Sequence, residues 1–411
     1  MGWNVKVIAV TLAAAALLGM PFLQGTARAA DPWPADSGTQ IWNGDEPSGD
    51  EPSGIVWHER LEKLFWVHDN GWVNQMDTDG TLNWSYYIGT PSDWDLEGIA
   101  IADPSSDNIY IGYEQGGGGV QIKEFDITTR SLTGNAWAFS EMNGHGNSGL
   151  EALTFVPNGA HPYTDITSNS GGLFYAGLQA DGKIYVYDVD LSDSGTRTYI
   201  GPITPVPGRG DLAGLHYHAE TATLYAVFDS SDLIREMETD GTFIAEYILP
   251  GGAQEGVTLV PSYPSTTTET YIAQDSGQII EYGSYPLSWG DSDDDGLTNP
   301  EETETYGTDP YDSDTDSDGV SDYDEVWYDL DGAYDPFDPG SGTGTDTDAN
   351  SSDTDEDGYS DNIEIGCGGN PISSGEMPAV VSINFQPTGS EVPAGYCLDS
   401  GASYSPAGYG W

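Results

Sequence analysis

Five times between Glu51 and Trp289 the chain returns to one phrase, a small residue followed by an aliphatic one. The copies are Ser53-Gly54-Ile55, Glu97-Gly98-Ile99, Glu151-Ala152-Leu153, Ala213-Gly214-Leu215 and Glu255-Gly256-Val257. A second apolar run follows each: Leu64–Val67, Ile109–Ile111, Leu173–Ala176, Leu224–Val227 and Tyr271–Ala273. A polar break then precedes a third strand. Two copies are near duplicates, Met76-Asp77-Thr78-Asp79-Gly80-Thr81-Leu82 and Met237-Glu238-Thr239-Asp240-Gly241-Thr242-Phe243, whose Asp-Gly marks a tight hairpin between third and fourth strands. Short β-type runs without a long helical period, repeating every ~40 to 60 residues, predict an all-β fold built from four-stranded units. The expected architecture is a β-propeller of five blades over residues 51–288, with six the alternative count. A β-sandwich would not place the same small residue at the start of every fourth strand. Glycine there suits an inner strand crowded against its neighbours around a central channel.

A second pattern occupies the last third. Asp-x-Asp-x-Asp-Gly is followed six residues later by Glu in three copies: Asp291, Asp293, Asp295 with Glu302; Asp314, Asp316, Asp318 with Glu325; Asp353, Asp355, Asp357 with Glu364. A calcium loop takes carboxylates from positions 1, 3 and 5, a carbonyl from 7, an oxygen often reached through water from 9, and a bidentate Glu from 12. Position 7 is Leu297, Val320 or Tyr359, and position 9 is Asn299, Asp322 or Asp361, so each set is complete. A solvated acidic linker would not hold Asp, Gly and Glu at fixed offsets three times. Ca2+ is therefore the expected cofactor, with Asp309 and Asp312 as further candidate ligands. A helix–loop–helix hand is the competing architecture. The first two loops begin only 23 residues apart, at 291 and 314, with Pro310 between them, which leaves no room for two flanking helices each. Residues 289–375 are thus expected to have almost no apolar core and to be held by metal, binding energy and folding energy being one quantity.

Charge narrows the partners. The formal net charge is −58, and no Lys or Arg follows Arg235. Nucleic acid is excluded, since phosphate binding needs a basic footprint. An anionic membrane surface is excluded for the same reason, and bound cations must offset much of the repulsion. Lys6, the apolar run Val7–Leu18 and Ala27-Arg28-Ala29 read as a secretory signal over residues 1–30, too short to span a bilayer, and no later stretch could cross one. The mature chain is expected in a calcium-rich extracellular setting. Residues 31–50, rich in Pro, Gly, Ser and Asp, read as a disordered leader. Cys367 and Cys397 suit an oxidising compartment and are the expected disulfide, two free thiols being the alternative.

The phrases Asp95-Leu96-Glu97-Gly98-Ile99, Gly149-Leu150-Glu151-Ala152-Leu153, Asp211-Leu212-Ala213-Gly214-Leu215-His216-Tyr217 and Gln254-Glu255-Gly256-Val257 resemble the SdiA-regulated family of exported β-propellers, over about 51–285. That resemblance implies a fold more than an activity. Ala152 in place of Gly and a Thr/Ser/Gly-rich insertion around 157–172 depart from it. Thr308-Asp309-Pro310-Tyr311-Asp312-Ser313-Asp314, with the three loops, resembles thrombospondin type 3 repeats, interrupted by a flexible Gly340–Gly344 insert. Residues 376–411, with Ile383-Asn384-Phe385-Gln386-Pro387 and Val392-Pro393-Ala394-Gly395-Tyr396, look like the opening strands of a malectin-like or galactose-binding-like β-sandwich, and the stop at Trp411 reads as a truncation.

In a propeller the first strand begins and the second ends on one face. Glu51, Asp95, Glu97, Glu151, Asp211 and Glu255 lie at first-strand starts, and Asp69, Glu114, Asp229 and Asp275 follow second strands. The topology should gather these acids at one channel mouth, where they would hold a cation or cap turns within their own blades. His216-x-His218 alone among the histidines has same-face strand spacing. Two functions follow. The first is a secreted calcium-binding surface protein whose propeller binds an extracellular protein or glycan and sits on a calcium-stiffened stalk. The alternative is a calcium-dependent phosphoester or lactone hydrolase with Glu97, Glu151, Asp211 and Glu255 near its metal. Phosphate chemistry would need cations. The propeller offers chiefly Arg60, Lys63, Lys123, Lys183, Arg209 and Arg235.

Overall fold

The computed structural model describes residues 30–44, 51–89, 95–114, 119–326, 347–367, 369–374, 383–384 and 397–398. The expected signal sequence lies outside them. Chain order places β1 (Thr39–Asn43) ahead of the first blade. Blade one is β2 (Pro52–His58), β3 (Lys63–His68), β4 (Trp72–Met76) and β5 (Leu82–Tyr87). Blade two is β6 (Leu96–Ala100), β7 (Asn108–Tyr113), β8 (Gln121–Asp126) and β9 (Ser131–Ala138). Blade three is β10 (Leu150–Pro157), β11 (Gly172–Leu178), β12 (Lys183–Val189) and β13 (Arg197–Ile203). Blade four is β14 (Leu212–His218), β15 (Thr223–Phe228), β16 (Leu233–Met237) and β17 (Phe243–Ile248). Blade five takes β18 (Gln254–Leu259), β19 (Thr267–Gln274) and β20 (Gln278–Pro286) from one end of the domain and β1 from the other. The fold is a five-bladed β-propeller.

The fifth blade corrects the expectation of a disordered leader. β1 pairs antiparallel with β20, Thr39 opposite Glu281 and Asn43 opposite Gln278. Upstream of it, Asp31 N–H donates to Glu246 O at 2.8 Å and Asp31 O accepts from Ile248 N at 2.9 Å, while Trp33 packs on Tyr282 and Tyr285. Polar composition concealed a strand whose pairing partner lies some 240 residues away.

Apolar residues collect between blades rather than within them. Phe65, Val67, Ile99, Ile111 and Phe125 fill the gap of blades one and two, and Tyr110, Trp137, Phe155 and Phe174 the next. Tyr175, Val186, Leu215 and Phe228 lie between blades three and four, Tyr225, Val257, Ile272 and Tyr285 between four and five, and Ile55, Trp66, Tyr271 and Ile279 between five and one. Trp42, on β1, joins the last of these, so the closing strand also seals the closing interface. Removing each such side chain from water contributes ~1.5–3 kcal/mol.

Glycine decides how closely the inner strands meet. A Cβ on Gly54 would stand 2.3 Å from Glu97 O, one on Gly98 2.6 Å from Leu153 Cβ, one on Gly214 2.4 Å from Glu255 O, and one on Gly256 2.4 Å from Ser53 O. The last contact returns to blade one and closes the ring at five. Ala152 is accommodated because its cross-strand partner is Gly177, which supplies the space that Ala152 takes. The duplicated turns are as expected: Gly80 and Gly241 have φ of 84° and 90°, and Gly80 N donates to Asp77 O and Gly241 N to Glu238 O.

Beyond β20, each Asp-rich loop is followed by one short helix: α1 (Asn299–Glu301, continuing as a wider turn over Glu302–Tyr306), α2 (Asp322–Val326) and α3 (Asp361–Cys367). None of the loops is flanked by a helix on both sides among the described residues. The Asp-rich array also touches the head. The first loop and its helix lie against the propeller face opposite the acidic mouth, with Gly290 N bonded to Glu220 O at 3.0 Å and Asn299 Nδ2 to Ala219 O at 2.8 Å. Downstream, β21 (Ile383–Asn384) and β22 (Cys397–Leu398) form a parallel pair. The rest of the expected sandwich, the Gly340–Gly344 insert and the Cys367 and Cys397 side chains lie outside the described residues.

Gly256→Ala should destabilise the propeller by about 1–3 kcal/mol, since backbone rather than a flexible side chain must yield. Chemical denaturation read by tryptophan fluorescence measures it. Gly134→Ala, a control on the outer strand of blade two with open space around the new Cβ, should cost less despite its positive φ.

Candidate metal centres and the acidic channel mouth

The three loops are one structure repeated. Position 4 is left-handed in each, Asp294, Ser317 and Glu356 at φ of 58°, 62° and 59°, and the following Gly296, Gly319 and Gly358 stand at 115°, 102° and 99°. Those turns fold the chain so that carboxylates at positions 1, 3 and 5 present oxygens all within 4.8 Å of one another. Each loop also uses its own amides to aim them. Gly296 N donates to Asp291 Oδ2 at 3.2 Å, Gly319 N to Asp314 Oδ2 at 2.9 Å and Gly358 N to Asp353 Oδ2 at 2.8 Å. Leu297, Val320 and Tyr359 donate their N–H groups to the position-5 Asp, which fixes the position-7 peptide.

Behind the Asp triplets sit the position-12 glutamates. Glu302, Glu325 and Glu364 are each 0% exposed, and both oxygens of all three lack a hydrogen-bond partner. Asp291 Oδ1, Asp293 Oδ2, Asp316 Oδ2 and Asp355 Oδ2 are also buried and unpartnered. Burial first, and then the neighbouring aspartates, push Glu302 up to about 8, Glu325 to about 9 and Glu364 to about 7. Asp316 rises to about 7 and Asp293 to about 6 for the same reasons. An unpaired carboxylate cannot stay buried without a compensating charge. Oxygen-only donors, free aspartate oxygens at positions 1 and 3 of the first loop and at position 3 of the other two, and a two-oxygen glutamate match what a hard divalent cation accepts.

Position 9 hydrogen-bonds within its own loop. Asp322 accepts from Thr315 N at 2.9 Å and Thr315 Oγ1 at 2.8 Å, and Asp361 accepts from Thr354 N at 3.0 Å and Thr354 Oγ1 at 2.6 Å. Asn299 accepts from Ser292 N at 3.0 Å. These side chains staple the loop at position 2. The Ser/Thr recurring there (Ser292, Thr315, Thr354) was the unused sequence signal. Asp309 likewise caps a turn, taking Tyr311 N at 3.1 Å, and neither it nor the exposed Asp312 joins a carboxylate triplet. Asp348 repeats that cap on Asn350 N, so 347–353 is a second copy of 308–314 that the sequence reading missed.

Adjacent loops are joined by position 5. Asp295 Oδ2 accepts from Tyr323 N at 2.9 Å, and Asp318 Oδ2 accepts from Asn362 N at 2.8 Å. The same link therefore spans loops one and two and loops two and three, although the second interval is longer. Sequence spacing gave no hint of it.

At the other face, the first-strand acids do converge. Glu97, Glu151 and Glu255 are buried, whereas Glu51 is exposed and Asp95 and Asp211 are half-buried. Glu97 and Glu151 are pushed well above the usual carboxylate range, by burial first and then by charge, that of Glu255 on Glu97 and those of Glu97, Glu114 and Glu255 on Glu151, and a hydrogen bond joins Glu151 to Glu97. Burial, then Asp275, Asp229 and Asp211, raise Glu255 to about 9, with a hydrogen bond to Asp275. Burial and a hydrogen bond with Glu51 raise Asp69 to about 7. Asp95 and Asp211 serve the backbone: at φ of 97° and 67° their carbonyls accept from Glu114 N and Asp229 N. The mouth groups its carboxyls in pairs, and among the described residues the close triplets occur in the loops and not there. Buried Glu114, which binds Gly149 N at 2.6 Å, also lines a cavity of about 220 Å³ with Val120, Met142 and His145.

The basic residues are engaged elsewhere. Arg60 pairs with Asp107, Lys63 with Asp77, Lys183 with Asp181, and Arg209 and Arg235 with Glu246. Lys123 lies 4.0 Å over the Tyr113 ring. His216 and His218 stand 6.0 Å apart, ring to ring, and no third metal-capable side chain groups with them among the described residues. No protein-family model matches this sequence, and the search of curated proteins finds no match. Among the described residues no helix is long and apolar enough to cross a membrane.

Glu255→Gln should stabilise the propeller at pH 8. The folded-state value of about 9 lies above the ordinary 4.5, so the wild-type contribution is full below 4.5 and is lost as pH rises through 9. Gln at 255 offers Asp275 a permanent amide donor. Thermal melts in chelator should give a Tm about 2–4 °C higher for the variant at pH 8, the shift that ~1 kcal/mol produces, and no gain at pH 4.

Proposed function

We propose that this is an exported calcium-binding protein whose propeller is a binding head and whose Asp-rich array is built by the metal. One observation carries the reading: three fully buried glutamates, Glu302, Glu325 and Glu364, each with both oxygens unpartnered behind a triplet of aspartates. Ca2+ fits better than Mg2+, because Mg2+ demands near-ideal octahedral geometry and keeps its waters, while these loops offer a larger, mostly protein-derived oxygen set. The residues that would hold it are the Asp triplets, the position-12 glutamates and the carbonyls of Leu297, Val320 and Tyr359. The resemblance to thrombospondin type 3 repeats agrees with that assignment, and the resemblance to SdiA-regulated propellers agrees with a head exposed outside the cell.

Bound calcium supplies positive charge and ties together a segment with little apolar burial. The chain's own residues do the rest: position 9 closes each loop, and Asp295 and Asp318 join one loop to the next. The head's partner is an extracellular protein or glycan. Its surface chemistry favours a cationic or hydroxyl-rich ligand at the acidic mouth, where the carboxyls are grouped and the basic side chains are tied up in the blades.

Calorimetric titration of the full chain should find at least three calcium ions, and chelation should expose 291–326 and 347–367 to protease while the propeller resists. Glu325→Gln should lower affinity in the second loop on the order of tenfold, because ligand charge sets affinity in such loops. Heat of binding unchanged from a blank, with the array equally protected in chelator, would remove the reading.

A further inference from the structure

Position 9 of the first loop is Asn, where the other two loops have Asp. In loops two and three both carboxylate oxygens accept from position 2, and a carboxylate has nothing to donate. Asn299 makes the same staple with an amide. Its Oδ1 accepts from Ser292 N at 3.0 Å, its Nδ2 donates to Ser292 Oγ at 3.0 Å, and the second Nδ2 hydrogen is left for Ala219 O, at 2.8 Å. Ala219 belongs to the propeller, in the turn between β14 and β15. Asn299 is 3% exposed, so this amide bond is made away from water.

The surroundings are built as a docking surface. Asn299 N donates to Gly290 O at 2.8 Å, and Gly290 N donates in turn to Glu220 O at 3.0 Å. Gly290 lies so close to the turn that a Cβ would stand 2.7 Å from the Thr221 backbone. The receiving turn is itself held rigid, because the Glu220 carboxylate accepts from Ser262 N and Tyr263 N in blade five. Farther along, the Tyr311 and Tyr217 hydroxyls are 3.2 Å apart, and Tyr311 packs where a side chain on Gly159 would be. The array thus touches the turns of blades three, four and five.

We infer that Asn299 couples the first loop to the propeller, so that a divalent cation in that loop clamps the array onto the face opposite the acidic mouth. The inference rests on the calcium reading above. Asn299 lies inside the same loop as Asp291, Asp293 and Asp295, whose clustered oxygens repel one another without a cation. Opening of the loop displaces the staple and with it the amide that reaches Ala219. Linkage makes the effect reciprocal: docking on the propeller raises the cation affinity of the first loop by the same factor by which the cation favours docking. The clamp also leaves the opposite mouth as the open face of the channel.

Hydrogen exchange on the full chain separates the two claims. The Gly290 amide reports docking, and the Asp322 amide, bonded to Ser313 O, reports order in the array. In the wild type, calcium should slow both relative to chelator. In Asn299→Asp, which restores the residue of the other loops but removes the donor, calcium should still slow Asp322 while Gly290 exchanges about tenfold faster than in the wild type. Gly290→Ala, which intrudes on Thr221 without touching a loop oxygen, should release the array in the same way, read as faster exchange across 217–222 with Asp322 still protected. If calcium slows Asp322 but leaves wild-type Gly290 unchanged, or if Asn299→Asp protects Gly290 as the wild type does, the clamp is overturned and the calcium reading stands. If calcium slows neither amide, both fall.

Discussion

Five inner strands share one axis, and their backbones approach until a single methyl group would collide. That crowding is what the fold depends on. Gly54, Gly98, Gly214 and Gly256 each face backbone or Cβ atoms of the next inner strand, and the last of these contacts returns to the first blade. With the inner strands that close, the broad faces of neighbouring sheets must meet over their aromatic and aliphatic residues, which is why the cores lie between blades. It also sets how near the strand starts come to one another. The acids beside those glycines are forced into each other's fields because the glycines allow no wider ring.

Charge is handled in two different ways in the molecule. At the channel mouth carboxyls pair with one another, Glu97 with Glu151 and Glu255 with Asp275, and burial holds them toward their protonated forms. In the Asp-rich loops backbone amides orient the aspartates, and one or two aspartate oxygens per loop and both oxygens of each buried glutamate have no partner. A proton can satisfy a pair. It cannot satisfy the three or four unpartnered oxygens of a loop at once, and that difference separates a self-contained ring from a set suited to a cation. The basic residues do not change the balance, since their ion pairs are made with other acids, within blades or from one blade to the next.

Much of this could be read from the chain. The blade starts, the Asp-Gly hairpins and the loop offsets are short-range patterns, and each appears in space where the spacing put it. Ala152 shows how a departure is absorbed, through a glycine across the strand pair that no local rule would single out. The leader was misjudged because Asp, Pro and Gly dominate its composition, while its two-residue apolar signal, Ile41-Trp42, finds a meaning only beside β20. For position 9 a loop template does not reveal that its side chain also reaches the loop's own second residue.

Residue order alone therefore determined where the blade starts and their tight turns fall and which oxygens repeat at ligand spacing, since each depends on neighbours within about a dozen positions, whereas the closure of the ring at five rather than six blades came from the fold. Which end of the chain completes the fifth blade, which acids share a proton, how Asp295 and Asp318 link successive loops and how Asn299 reaches Ala219 were settled only once the chain was folded. These are meetings between residues tens to hundreds of positions apart. No local preference encodes them, and they exist because closing the ring brings distant backbone within hydrogen-bonding reach.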